Sequence, residues 1–359
     1  MKKLIFISLL LLSCKRDEFT QICNYNIVTV REPFISKSLI GEEVFFDDEV
    51  VSRFSNISVY DSLLLAYQIG AQDGYYYHIY SLNNNKILGR FIPEGNARNE
   101  VLAIAPIRQF KVDKEEFSAY VYDFGKQRTS LWNISESMEQ NVTKFDLEIK
   151  HQEREMKESF TSLFYLLGGK FIGQTYMYYN PYSNEKIISD YYICDINSDS
   201  VIKKMNLYND ITPTGKDLGK YLQSENCIKP DRSKLVIAMQ YQPHIAIINL
   251  DNNEVKGTNI RNGVEFNSSD SKVCFCSVDV DDDYIYALFV GDYTDSFLGE
   301  GKQPETVLYK FDWDGDLKEK YIFKDFPIFR IAIDRSCKSN YLYGVNIFNE
   351  KVYRYSLDK

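Results

Sequence analysis

Short apolar runs alternate along most of this chain with turns rich in Asp, Asn and Gly, and almost no stretch sustains a 3.6-residue apolar period. That pattern predicts strands rather than helices. Ile228–Ile260, IKPDRSKLVIAMQYQPHIAIINLDNNEVKGTNI, shows the unit most clearly. It parses as a first strand, a Pro-Asp turn, a second strand from Leu235 to Tyr241 and a short loop. A third strand follows from Ile245 to Leu250, then an Asp-Asn-Asn turn and a fourth strand from Glu254 to Ile260.

The same unit recurs at Ile57–Ile92, around Glu116–Ile134 and at Lys170–Leu207. A fifth copy holds YIYALFV and ETVLYKFDWDGDLKEKYIF around a long loop from Gly291 to Pro304, and a sixth, FRIAIDRSCKSNYLYGVNIFNEKVYRYSL, ends before its outer strand. Self-similarity at this spacing is the mark of a radial or stacked repeat. Ser36–Phe46, SKSLIGEEVFF, precedes the first copy and has no other partner. Used as the missing outer strand, it would close the ring and hide both sheet edges. The expected fold is therefore all-β, a six-bladed β-propeller whose N-terminal strand closes the last blade.

The start of the chain gives an address. Lys2 and Lys3 precede an apolar run from Leu4 to Leu12, too short for a bilayer core that needs roughly 20 residues. The run has the form of a secretory signal, and it ends in Leu11-Leu12-Ser13-Cys14, which resembles the lipobox of bacterial lipoproteins. The resemblance implies cleavage before Cys14 and lipid attachment there, giving stable anchoring in a membrane. Residues 1–13 are then signal peptide, 14–35 a lipidated tether and 36–359 the propeller. The charged Lys15-Arg16-Asp17-Glu18 resembles the signal that exports some lipoproteins to the outer surface. The expected location is the outer membrane of a bacterial envelope, either surface-exposed or facing the periplasm.

Lipobox, repeat number, the PDRSKL turn after a first strand and the DWDGDL turn after a third together resemble the TolB-like six-bladed propeller lipoproteins, relatives in shape of NHL-repeat proteins. Ile92–Glu100, IPEGNARNE, resembles that family's Gly-rich, Glu-ending loop, with Asn96-Ala97-Arg98 departing from it. The resemblance implies the fold and the anchor and lends little to function, since most members have no assigned activity.

A formal charge of −9 and the absence of a basic stripe argue against nucleic acid as a partner. Six cysteines remain beyond Cys14: Cys23, Cys194, Cys227, Cys274, Cys276 and Cys337. The spacing shows no disulfide framework, and buried free thiols are expected. In KVCFCSV, strand alternation puts Cys274 and Cys276 on one face.

Catalytic constellations are thin: Gly-x-Ser-x-Gly, HExxH and the phosphate loop are all missing from the sequence. Neither a cofactor nor a metal is expected. Asp312–Asp316, DWDGD, and Asp279–Tyr284, DVDDDY, read as turns before they read as calcium loops, which need more donors. His151 falls in a charged stretch that reads as a solvated connection. His78 and His244 fall at the starts of third strands in copies one and four, opposite each other in a six-fold ring.

In a propeller the loops between second and third strands share one face with the blade-to-blade crossings, around the channel mouth. The sequence maps His78, Arg98, Tyr182, His244, Tyr293, Phe297 and Phe348 onto that face, with Tyr293 and Phe297 on the long fifth-copy loop. Tyrosine offers contact area at low entropy cost with a hydroxyl for polar pairing. The reading is a non-enzymatic module that binds an extracellular or periplasmic glycan or protein. A calcium-dependent enzyme of lactonase or sugar-lyase type is the second reading, although Asn56, Glu225 and Asn226 are the only evident oxygen donors on the presumed innermost strands. A scaffold subunit of an envelope complex is the third.

Overall fold

The computed structural model describes residues 18–33, 35–46, 55–71, 73–113, 116–151, 160–175, 190–198, 200–209, 222–260, 272–293, 303–336 and 339–357. They form six antiparallel blades. Blade one comprises Asn56–Tyr60, Leu63–Tyr67, Tyr75–Ser81 and Ile87–Pro93, which we call strands A to D from the axis outward. Blades two to five repeat this order, with A strands at Phe110–Asp113, Phe160–Tyr165, Ser224–Ile228 and Lys272–Val280. Blade six has Arg330–Ile333, Tyr341–Asn346 and Lys351–Ser356 as A, B and C.

Its D strand is Glu42–Val44, antiparallel to Lys351–Ser356 with Tyr353 opposite Glu43, so the N-terminal stretch closes the ring as expected. The preceding residues extend that closure. Asn26–Thr29 adds a parallel fifth strand outside blade four, and Lys37–Leu39 adds one outside blade five. The three strands Asn26–Thr29, Lys37–Leu39 and Glu42–Val44 therefore form a belt across the outer edges of blades four, five and six.

This changes the picture of the expected tether. Within 14–35, Glu18–Ile22 is a helical turn whose Phe19 is fully buried against Tyr208 and His244. In sequence, three residues, 15–17, separate Cys14 from this helical turn. Among the described residues no helix is long and apolar enough to cross a membrane.

The core lies between blades. Alternation along the strands sends apolar side chains to both faces of each sheet, so neighbouring blades bury clusters such as Leu235, Ile237 and Ile248 with Phe164 and Ile172. Aromatics fill the widening gaps toward the rim, among them Trp132 against Tyr77 and Phe91. His151, expected on a solvated connection, is instead buried between blades two and three, bonded to Thr129 and edge-on to Tyr122 and Phe171.

Asp312–Asp316 is the hairpin turn its sequence predicts, with Gly315 at φ +81 and Asp312 Oδ1 accepting from the N–H groups of Asp314 and Asp316. Cys274 and Cys276 do not share a face. Register shifts around Phe275 break the alternation, so Cys274 packs toward blade four and Cys276 toward blade six. Cys23, Cys194, Cys227, Cys274 and Cys276 are free thiols, and Cys337 lies outside the described residues.

Candidate functional site

The A strands of neighbouring blades lie side by side around the axis. What fills the axis is charge. Arg108 reaches inward from the crossing between blades one and two, Asp279 from the A strand of blade five, and Arg335 from just past the A strand of blade six. All three side chains are buried, with 8%, 1% and 7% exposure respectively.

Arg335 donates through Nε (3.0 Å) and Nη2 to Asp279 Oδ1, through Nη1 to the Arg108 carbonyl (2.6 Å), and through Nη2 to the Cys227 sulfur (3.1 Å). Arg108 donates to the Val278 carbonyl at 3.1 Å and to Glu225 Oε2 at 3.4 Å. Asp279 also accepts from the N–H groups of Val280 and Ile333. Burial works against the Arg335 charge, but Asp279 and the Cys227 sulfur outweigh it and hold the guanidinium above its ordinary value. Burial pushes the Cys227 thiol up, with Arg335 pulling the other way. Blades two, four, five and six are thereby tied at one waist, and the waist divides the channel into two mouths.

One mouth opens on the face that carries the crossings and the B–C loops. It is a cavity of about 220 Å³ between blades two, three and four. Its wall is a polar network. Asn226 donates to Gln174 Oε1 (2.5 Å) and Ser162 Oγ (3.3 Å), and it accepts from Ser224 Oγ (3.2 Å) and Tyr191 OH (3.1 Å). Gln109 exchanges two bonds with the backbone of Tyr165. Glu225, Tyr120 and Tyr122 complete the rim. The other mouth, on the face of the A–B turns, holds about 300 Å³ and is bordered by Tyr60, Phe110 and several cationic side chains.

The residues that the sequence assigned to a binding face divide differently. His78 and His244 sit on C strands, the third from the axis, and both are fully buried. His78 Nε2 lies 2.8 Å from Asp73 Oδ2, while His244 bonds Asn259 (2.6 Å) and Tyr25 (2.9 Å). They are core histidines with their polar needs met inside the blade, and neither reaches the channel mouth.

Arg98 is exposed in the crossing from blade one, where its carbonyl accepts from Arg128. Phe348 lies in the B–C turn of blade six, edge-on to Phe329. Neither lines a described cavity at the channel. Tyr293 ends a B strand, and Tyr182, Phe297 and Cys14 lie outside the described residues. In the loop Ile92–Glu100, Gly95 has φ +151, and a Cβ there would strike the Glu100 carboxylate, which folds back to accept from the Ala97 N–H. Of the expected channel donors, Asn226 and Glu225 do line the crossing-face mouth, whereas Asn56 is buried and accepts from the N–H of Ile57.

Arg108, Asp279 and Arg335 escape a reading of the sequence because each comes from a different blade. Asp279 opens DVDDDY, and the turn there is made by Asp281, which accepts from the N–H groups of Asp283 and Tyr284. A charged residue ending an otherwise apolar A strand was the available signal.

Comparison with solved structures gives long, distant matches. A DUF4221 family member from Bacteroides vulgatus is 12% identical with a TM-score of 0.57, covering 90% of this chain and 97% of that one. A protein from Bacteroides fragilis thought to be exported is 10% identical with a TM-score of 0.52, covering 93% and 100%. At such identities the likeness is one of fold alone. Curated proteins offer no match. The sequence itself matches the TolB-like 6-blade propeller-like family over residues 32–335, nearly the whole ring. With six blades, the closing N-terminal strand and that match together, this chain belongs to the TolB-like six-bladed propeller family.

Proposed function

We propose that this protein is a lipid-anchored propeller of the bacterial envelope that binds a glycan unit at the crossing-face mouth of its channel, without catalysing a reaction. The observation that carries the reading is the network of Asn226, Gln174, Ser162 and Ser224, whose amides and hydroxyls orient one another beside a cavity of about 220 Å³. Such groups match the paired donors and acceptors of sugar hydroxyls. Their mutual bonds reduce what binding must spend on ordering them. Tyr122, in the cavity wall, supplies aromatic surface of the kind a pyranose ring packs against.

The waist supports binding over calcium chemistry. Two guanidiniums stand where a metal-dependent propeller would need carboxylates, and both oxygens of Asp279 are already engaged, Oδ1 by Arg335 and the Val280 N–H and Oδ2 by the Ile333 N–H. The Bacteroides fragilis protein, described as exported, is consistent with an envelope location. So is Leu11-Leu12-Ser13-Cys14. From Cys14 to Glu18 the chain can span at most about 14 Å, so an anchor there would hold blades three and four close to the membrane.

Calorimetry of a soluble form carrying Cys14→Ser against mono- and oligosaccharides tests the site. Binding weakened at least fivefold by Glu225→Gln, in a variant that still melts cooperatively, is the expected result. No glycan binding, or binding indifferent to both Glu225→Gln and Tyr122→Ala, overturns it. Incorporation of labelled fatty acid, abolished by Cys14→Ser, tests the anchor separately.

A further inference from the structure

The mouth on the A–B-turn face has a composition that the rest of the chain does not explain. In a protein with 42 Lys and Arg against 51 Asp and Glu, five cationic residues border this cavity: Arg108, Lys111, Lys229, Arg232 and Arg335. Among the described residues, no carboxylate lines it.

Three of the five are fixed by partners outside the cavity. Arg335 is held by Asp279, Arg108 by Val278 and Glu225, and Lys229 by Asp231 at 2.5 Å. Arg232 sits at φ +65, a backbone position that few side chains adopt, and lays its guanidinium 5.6 Å over the ring of Tyr120. Tyr60 and Phe110 give the cavity a rigid aromatic side. Both stack on Phe117, at 4.3 Å and 5.2 Å, and Arg335 lies over the Phe110 ring.

Gathering like charges in a walled recess raises the local potential and disfavours the empty state, unless a counter-charge enters. Guanidinium forks on a stacked base match carboxylate and phosphate oxygens in pairs. We propose that the turn-face mouth binds a small organic anion, about the size of a monosaccharide, through a carboxylate or phosphate group. A sugar acid, a polycarboxylate and a sugar phosphate share this chemistry. The site lies on the far side of the Arg108–Asp279–Arg335 waist from the glycan mouth, with Arg108 and Gln109 in the wall between them.

The test uses the Cys14→Ser soluble form at constant ionic strength, with chloride as reference and inorganic phosphate, citrate, glucuronate and glucose 6-phosphate as probes. A ligand that binds only the folded state raises the melting midpoint by mass action. At least one probe is expected to do so beyond chloride, with an affinity that falls as sodium chloride is added. Lys111→Ala with Arg232→Ala should weaken that binding at least tenfold, while Lys203→Ala with Lys204→Ala, on the outer strand of blade three, should leave it unchanged.

Lys111→Arg with Arg232→Lys keeps the charge, and retained binding there shows that any loss in the alanine pair is not misfolding. Tyr122→Ala, which lines only the crossing-face mouth, should not move the anion affinity, and this separates the site from the glycan mouth. No probe exceeding chloride would overturn the proposal. So would an equal shift in the parent and the alanine pair.

Discussion

Asp279→Asn is the sharpest test of the waist, because it changes charge while barely changing shape. Five donors converge on the two carboxylate oxygens: Nε and Nη2 of Arg335, the N–H groups of Val280 and Ile333, and the Cys227 thiol. An asparagine offers one acceptor oxygen and turns its own N–H₂ toward a donor. It also leaves Arg335 buried without its counter-charge. Since no cavity is created, the loss is electrostatic and hydrogen-bonding alone. Breaking a buried pair by neutralising one partner costs about 3–5 kcal/mol. At roughly 2 °C per kcal/mol for a chain this long, the midpoint should fall by about 6–10 °C. Thermal and urea melts followed by circular dichroism read the change directly. Arg335→Met supplies the other corner of a double-mutant cycle, and the double variant should recover about 2 kcal/mol relative to the sum of the singles. An Asp279→Asn protein within about 1 kcal/mol of the parent, or single effects that simply add, would refute the account of the waist.

Other consequences can be checked alongside. Phe19→Ala removes a fully buried ring and should cost about 3 kcal/mol, with new proteolysis near residues 18–31; an unchanged melt and digest would mean the helical turn is not part of the fold. Burial pushes the thiols of Cys227 and Cys276 up, the latter to about 12. At pH 8 neither should react with iodoacetamide until the protein unfolds, and mass spectrometry finding either labelled in the native state would contradict this. Burial also pushes the Asp281 carboxyl above its ordinary value. A raised acid favours folding only below its unfolded value, and that contribution is lost as pH rises through the folded one. Asp281→Asn keeps the acceptor for the turn and should be more stable than the parent at pH 7, a gain that disappears as pH falls below the ordinary carboxylate value; a net loss at pH 7 would show that the charge itself holds the turn.

The fold was legible because its signals are local. Alternation within each strand, and turns rich in Asp, Asn and Gly between strands, recur at a spacing that suits a radial or stacked architecture. Even the closing strand could be read, as a segment without any other partner. The belt could not, since Asn26–Thr29 is mostly exposed and pairs in parallel with residues far along the chain. The site was legible only in part. Glu225 and Asn226 announce themselves as polar residues on an A strand, whereas His244 misleads because its partner Tyr25 lies 219 residues away. Arg108 reaches the Val278 carbonyl, and Arg335 reaches Asp279, only once the ring has closed. The bulge at Phe275, which separates Cys274 from Cys276, has no signature in KVCFCSV itself.

The belt also imposes an order on assembly. Asn26 meets Lys256, Ser38 meets Ile322 and Glu43 meets Tyr353, pairs separated by 230, 284 and 310 residues. Contacts of such span are the slow ones in folding, because loop-closure entropy is spent before they form. At about 5–20 residues per second of synthesis, the first strands made wait roughly 15–60 s for the last. Until then their edges stand open to any other strand. Substitutions in residues 26–44 should therefore lower the yield of native protein more than they lower the stability of the finished ring.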